Sequence, residues 1–336
     1  MQLITISHLK QIVQHTGLDH FLRQNLADLE AAFGRWNDFH KSPRHATHYP
    51  QGVIELMPCA DDNFYSFKYV NGHPKNTAQG QLSIIALGML ADASNGFPLM
   101  LSEMTLLTAI RTATTTALGA KYLARPNSRH LAMIGTGAQA EFQLQAIRQV
   151  LPIERVSFFD TDPEAMKKFS RNMDGLVDLQ PCQSIEQAIA DSDMIITATA
   201  ARQHNRLLKP GMIDPGCHIH AMGGDCPGKT ELDPALLAEC KVVVEYLPQS
   251  LAEGEIQLAK QTPVYAELWE LVNGSKPGRQ DSRELTLFDS VGFALEDFVI
   301  LQLVYRLARN LGIGEEVELV PSPVDPKDLY RVLVSP

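Results

Sequence analysis

The chemistry available to this sequence is concentrated in one loop and three isolated cations. The loop is Gly223-Gly224-Asp225-Cys226-Pro227-Gly228-Lys229-Thr230, directly after the apolar run Cys217–Met222. In a doubly wound sheet, ligands sit outside the carboxyl ends of the strands. An acid held there between glycines is placed to act as a general base, so Asp225 is the candidate catalytic residue. The loop also spells Gly-x4-Gly-Lys-Thr, the pattern of a phosphate-binding loop. Three points oppose that function. Asp225 puts negative charge where phosphates would lie, and Pro227 lacks an N–H that the cradle needs. The next helix starts only at Asp233-Pro234, whereas a phosphate loop runs straight into its helix.

Lys68 interrupts the apolar run Phe64–Val70, Arg111 lies in a stretch otherwise made of Thr, Ala and Leu, and Arg44 follows Pro43. Singly, each fits a solvated or paired charge. Together they could bind a substrate carboxylate, with Arg as a bidentate fork and Lys as a point charge. Glu55 in the neighbouring run could hold an amine, although an exposed strand acid fits its spacing equally well. His218 and His220 alternate on one strand face with no third ligand at metal spacing, and read as packing residues. No metal site is expected.

The elements that position these residues centre on Arg129–Gln139. His130–Ile134 has the length of a buried strand and breaks at Gly135-Thr136-Gly137-Ala138-Gln139-Ala140. A helix follows with Phe142, Ala146, Ile147 and Val150 on one face, and then the strand Val156–Phe159 ends in Asp160. This is a dinucleotide-binding unit. Gly135 permits the tight turn, Gly137 lets the backbone approach the pyrophosphate, and the helix N-terminus faces the phosphates. Ala140 stands at the third glycine, as the fingerprint allows. Asp160 would accept hydrogen bonds from the ribose and repel a 2′-phosphate, favouring NAD over NADP.

From Arg129 onward strands are expected near 130–134, 155–159, 176–179, 194–198, 217–222, 241–245 and 286–289. Helices near 138–150, 163–173, 184–190 and 233–239 fill the gaps, so the sheet is parallel and covered on both faces. Upstream, Leu3–Ile6 reads as a short strand, Ser7 as the cap of a helix through Val13, and Asp19–His40 as a longer helix. Residues 50–104 are β-rich: Gly52–Cys59, Phe64–Val70, Gln81–Leu90 and Pro98–Met104, with a hairpin turn at Asp92–Gly96. A helix over Thr105–Leu123 ends before the junction Ala124–Ser128, and another over Gly292–Leu311 returns to the first domain. The fold class is thus α/β: a doubly wound, Rossmann-type parallel-sheet NAD domain over 125–311, plus an α+β domain over 1–124 joined by the returning segment 312–336.

The 336 residues suffice for two domains with sizeable cores. A net charge of −10 argues against a nucleic-acid or anionic-membrane surface. The amino terminus lacks a signal-peptide pattern, and no apolar run reaches the roughly 20 residues of a membrane span. The five cysteines (Cys59, Cys182, Cys217, Cys226, Cys240) are never spaced Cys-x-x-Cys and read as reduced thiols of a cytoplasmic protein.

Six segments resemble the ornithine cyclodeaminase/μ-crystallin family, on its bacterial cyclodeaminase side. They are Ser42-Pro43-Arg44, Phe67-Lys68-Tyr69-Val70, Ile110-Arg111-Thr112-Ala113, Ile134–Gln139, Gly223–Leu232 and Phe288-Asp289-Ser290-Val291-Gly292. The Asp225 loop is the most specific, because alanine dehydrogenases and imine reductases of the family usually vary at Gly224 and Cys226. The resemblance implies a dimer whose first domain supplies the interface and half the substrate site. It implies that Arg44, Lys68 and Arg111 hold the α-carboxylate of L-ornithine, that Glu55 and the backbone of Val291 touch substrate, and that Asp225 is the acid/base. It implies NAD contacts at Ser83, Arg111, Thr112, Gly135, Gly137, Ala138, Gln139, Asp160, Thr199, Met222, Gly223, Gly224, Lys229 and Ser290. Ser83 stands where threonine is commoner in the family.

The implied reaction is cyclisation of L-ornithine to L-proline and ammonia, with NAD⁺ reduced and reoxidised within one turnover. The alternatives are a ketimine reductase, an amino-acid dehydrogenase or a lysine cyclodeaminase of the same superfamily, or a nucleotide-binding storage protein. The complete Arg44/Lys68/Arg111/Asp225 set opposes the last, since a binder needs no base.

Overall fold

The protein is described from a computed structural model covering residues 1–200 and 203–334. The last two residues of the expected returning segment 312–336 therefore lie outside the described residues. Two eight-stranded sheets organise the chain.

The first sheet runs Glu315–Glu316, Gln2–Ile4, Pro98–Glu103, Ala86–Asp92, Phe64–Gly72 and Gly52–Ala60, with His40–Lys41 and His45–Tyr49 both paired to the last. It is antiparallel except where Gln2–Ile4 meets Pro98–Glu103. Alternation sets its two faces. Met57, Cys59, Ser66, Lys68 and Leu90 point inward and are buried, while Leu56, Tyr65 and Leu87 point outward and are exposed. The Ala294–Leu311 helix crosses the inner face, packing on the strands Gly52–Ala60, Phe64–Gly72 and Ala86–Asp92 and on the Leu18–Gly34 helix. It sits close enough that a Cβ on Gly88 would lie 2.9 Å from Leu301 Cδ2.

The second sheet runs Asp178–Pro181, Arg155–Phe159, His130–Ile134, Met194–Thr197, His218–Ala221, Thr286–Asp289, Lys241–Val244 and Val264–Glu267, parallel throughout. Its strands are near-continuous apolar runs because both faces are covered. Chain order reverses beside His130–Ile134, which opens a crevice at the carboxyl ends of that strand and of Met194–Thr197. Thr286–Asp289, late in the chain, inserts between two earlier strands and so carries Ser290–Gly292 into the same crevice.

Several local expectations are corrected. Thr5, not Ser7, caps the first helix, which runs Ile6–Thr16; Thr5 accepts from His8 N–H, and His8 Nδ1 accepts from Thr5 N–H. The long helix ends at Gly34 rather than His40, giving way to a turn at Trp36–Asp38 and the strand His40–Lys41. There Trp36 stacks between Phe33 and Trp269, and that tertiary contact outweighs helical periodicity. Within Gln81–Leu90 only the residues from Ala86 join a strand. Strands at His204–Leu208, Thr230–Leu232 and Val264–Glu267 and helices at Leu247–Glu253 and Leu268–Val272 had no clear sequence signal.

Candidate active site

At the crevice, Gly135 has φ +97°, and a Cβ there would lie 2.5 Å from Ala198 O. Only glycine fits. A Cβ on Gly137 would meet nothing within 4 Å, so that backbone faces open space, with Ala138 exposed and Gln139 half-buried beside it. Asp160 Oδ2 accepts from Thr136 N–H (2.6 Å) and hydroxyl (3.2 Å), and Oδ1 accepts from Asp162 N–H (2.9 Å). Asp160 therefore holds the glycine turn as well as standing at its strand end. A constrained first glycine, a bare second one and a strand-end acid fit a dinucleotide.

The Gly223–Thr230 loop rests on a ladder of buried carboxyls. Asp289 accepts from the N–H groups of Glu255 (2.9 Å) and Ile256 (3.1 Å). Glu255 in turn accepts from those of Glu231 (2.8 Å) and Leu232 (2.9 Å), and Glu231 accepts from Thr199 N–H (2.8 Å) and hydroxyl. Burial raises all three: Asp289 to about 7, Glu255 well above the carboxylate range, and Glu231 upward. A Cβ on Gly223 would strike the Glu231 carboxyl, and one on Gly224 would lie 2.5 Å from Glu255 Oε1. The paired glycines thus make room for the ladder.

Asp225 follows them, exposed, and accepts from Lys229 Nζ at 3.1 Å. Burial works against the Lys229 charge, but Asp225 and Glu231 outweigh it and hold the ammonium protonated. Strand Thr230–Leu232, not a helix, follows Lys229, which removes the phosphate-loop pattern from consideration. His218 and His220 are fully buried against the hydroxyls of Thr286 (3.0 Å) and Thr116 (2.8 Å), and burial pushes His220 down to about 3. They pack.

Facing the loop, the three cations are brought together. Arg44 donates through Nη1 to Glu55 (3.1 Å) and through Nη2 to the carbonyls of Val291 (2.8 Å) and Gly292 (2.7 Å), while its Nε lies 3.1 Å from Glu253 Oε2. Arg111 pairs with Glu296 (2.6 Å) and Asp297 (3.1 Å), and Lys68 pairs with the same Asp297 (2.9 Å). Burial and the neighbouring Arg111 lower Lys68 to about 8. Glu245, raised by burial, gathers Ser290 Oγ (2.5 Å) and the N–H groups of Val291 (3.1 Å) and Gly292 (2.7 Å). Gly292 has φ +80°, and a Cβ there would lie 2.5 Å from Arg111 Nη1.

Of the remaining candidates, Thr112 and Met222 are half-buried, Thr112 next to Arg111 in its helix and Met222 with its N–H on Thr197 O (3.2 Å). Ser83 is also half-buried; its carbonyl accepts from His73 N–H (2.8 Å), away from the cations' hydrogen bonds. The cations were visible in the sequence; the acids that pair with them, Glu253, Glu296 and Asp297, and those that brace the loops, Glu231, Glu245, Glu255 and Asp289, were not. A usable signal existed for Glu296-Asp297, charges in an apolar helix like Lys68 in its strand.

The sequence model of the ornithine cyclodeaminase/mu-crystallin family matches residues 7–311. The chain belongs to this family. It is 47% identical over 332 residues, 98% of this chain and 93% of the relative, to an ornithine cyclodeaminase of Agrobacterium tumefaciens. Its fold matches a lysine cyclodeaminase solved to explain recognition of L-lysine, L-ornithine and L-2,4-diaminobutyric acid (TM-score 0.91, 31% identity, 98% of each chain). It also matches the Thermococcus litoralis Δ1-pyrroline-2-carboxylate reductase bound to NADH and L-proline (TM-score 0.88, 32% identity, 94% of this chain and 100% of that one). In this family member the caged cations lie near the Asp225 loop, close enough for Asp225 and Arg44 to influence each other. That arrangement can fix a carboxylate and an amine while presenting a base to both.

Proposed function

We propose that this protein is an NAD-dependent ornithine cyclodeaminase that converts L-ornithine to L-proline and ammonia. The observation that carries the proposal is the convergence of Arg44, Lys68 and Arg111 opposite Asp225, beside a dinucleotide turn, in a chain 47% identical to an ornithine cyclodeaminase. Bound NAD would supply reversible two-electron oxidation at Cα. Gly135, Gly137, Ala138, Gln139, Asp160 and Thr199 would hold it, together with Ser83, Arg111, Thr112, Met222, Gly223, Gly224, Lys229 and Ser290.

The chain's own groups do the rest. Arg44, Lys68 and Arg111 fix the α-carboxylate and so align Cα. Glu55 and the Val291 carbonyl accept from the substrate amines, and Asp225 takes the proton that makes the side-chain amine nucleophilic. Glu55, Glu253, Glu296 and Asp297 pair with the three cations and hold them in place. One methylene changes discrimination by only about 1–3 kcal/mol, so lysine is a natural slower substrate. Identity favours ornithine.

We further propose a cytoplasmic homodimer that joins through the exposed face of the first sheet. Its substrate and dimerisation unit spans 1–124 with the returning 312–336, and its NAD unit spans 125–311, the last helix of which, Ala294–Leu311, packs onto the first sheet. Asp225→Asn is expected to keep NAD binding and lose proline formation. Near-normal proline formation by that variant, with L-ornithine as substrate, would remove Asp225 from the mechanism.

A further inference from the structure

Conversion of L-ornithine to L-proline strips a proton from each of two ammonium groups. The α-ammonium must become a free amine before Cα is oxidised. The side-chain ammonium must become a free amine before its nitrogen attacks Cα. The new N–C bond forms, the old Cα–N bond breaks, and the two electrons that left Cα return to it. Both protons come back at the end, one to the departing ammonia and one to the ring nitrogen. Asp225 can hold one of them at a time, so a second acceptor lets both protons stay in the site through the turnover.

We infer that Glu253 is that acceptor: at the end of the Leu247–Glu253 helix and against Arg44, its carboxyl takes one substrate ammonium proton and returns it, working opposite Asp225. This rests on the cyclodeaminase function proposed above. Arg44 ties Glu253 to the same point as Glu55 and the Val291 carbonyl, and the Glu253 side chain is only 9% exposed. The two acids on Arg44 are not equivalent. Glu55 accepts an aligned hydrogen bond from Nη1 and is occupied by it. Glu253 Oε2 lies 3.1 Å from Nε without that alignment and, among the described residues, makes no hydrogen bond, so a buried carboxyl oxygen is left to take a proton.

The charged groups facing Glu253 are Arg44 before the strand His45–Tyr49, Glu55 on Gly52–Ala60, and Asp225 after His218–Ala221. Burial, helped by Glu55 and Asp225 and opposed by Arg44, pushes Glu253 up to about 7, where a carboxyl exchanges protons readily near neutral pH. Other acids nearby are already engaged. Glu255, two residues on, turns to the backbone of Glu231 and Leu232, while Glu296 and Asp297 hold Arg111 and Lys68.

The acceptor must be ionised, so wild-type kcat/KM for L-ornithine is expected to fall as pH drops through about 7. Glu253→Gln, which keeps the shape, is expected to lose about 100-fold or more in kcat together with that acid limb. Glu253→Asp should restore the limb at an intermediate rate. A second readout uses the enzyme without NAD: calorimetry of L-ornithine binding at pH 7 in two buffers of different ionisation enthalpy. Wild type should release protons, because an arriving ammonium favours ionised Glu253, and Glu253→Gln should not. If Glu253→Gln raises KM alone and keeps both the limb and the proton release, Glu253 only positions Arg44 and the inference is wrong. If wild type forms no proline from L-ornithine, the cyclodeaminase function fails first and the inference falls with it.

Discussion

Gly292 shows how much of this site is decided by single residues. Its positive φ and the closeness of Arg111 leave no space for a methyl group. Gly292→Ala should displace the guanidinium, raising KM for L-ornithine more than tenfold with little change in NAD affinity, as measured by steady-state kinetics and nucleotide titration. Lys68 gives a pH test. Burial holds it near 8, so raising pH through that value neutralises it and weakens the grip on carboxylate. Lys68→Arg, always charged, should move the alkaline limb of kcat/KM upward; an unmoved limb would free Lys68 of that role. The cations were legible because a charge inside an apolar run is conspicuous. The acids that brace the loops were not, because Glu245 and Asp289 end ordinary-looking strands, and their partners lie from 33 to 47 residues away in the chain.

At the scale of elements, the ladder Asp289–Glu255–Glu231 joins three separate segments by side chain to backbone, and the catalytic loop lies against it. Gly223→Ala forces a methyl group into the Glu231 carboxyl, and should cost about 1–3 kcal/mol in a denaturant melt along with most turnover. The ladder also predicts a pH signature. Asp289 is near 7 when folded against 3.8 in the unfolded chain, so the folded state binds its proton more tightly. Its contribution is full below about 4 and is lost as pH rises to about 7. Wild type should therefore lose stability relative to Asp289→Asn over that window and run parallel to it above. Parallel curves throughout would contradict the shift. The long apolar strands and the Thr105–Leu123 helix were readable from periodicity. Thr230–Leu232 was not, since three residues in a polar loop become a strand only by pairing with His204–Leu208.

At the scale of the whole molecule, strand–helix alternation disclosed the parallel sheet, and the upstream region read as β-rich without its antiparallel pairing being specified. How the two meet was hidden. It depends on Thr286–Asp289 inserting out of chain order and delivering Ser290–Gly292 to Arg44, and no local pattern encodes that. The first sheet leaves Leu56, Tyr65 and Leu87 exposed at 45%, 41% and 49% on one face, more than an isolated surface residue requires. Leu87→Glu should convert a dimer to a folded monomer in sedimentation, with unchanged circular dichroism. A wild-type monomer would contradict the proposed assembly.

The central claim is that oxidation and reduction close within one turnover on one substrate molecule. The most direct test incubates the protein with L-ornithine and a trace of NAD⁺, following proline, ammonia and NADH absorbance together. Proline and ammonia should appear in equal amounts, far exceeding the NAD⁺ supplied, while NADH stays flat. NADH rising in step with product would contradict the account and make the protein a dehydrogenase.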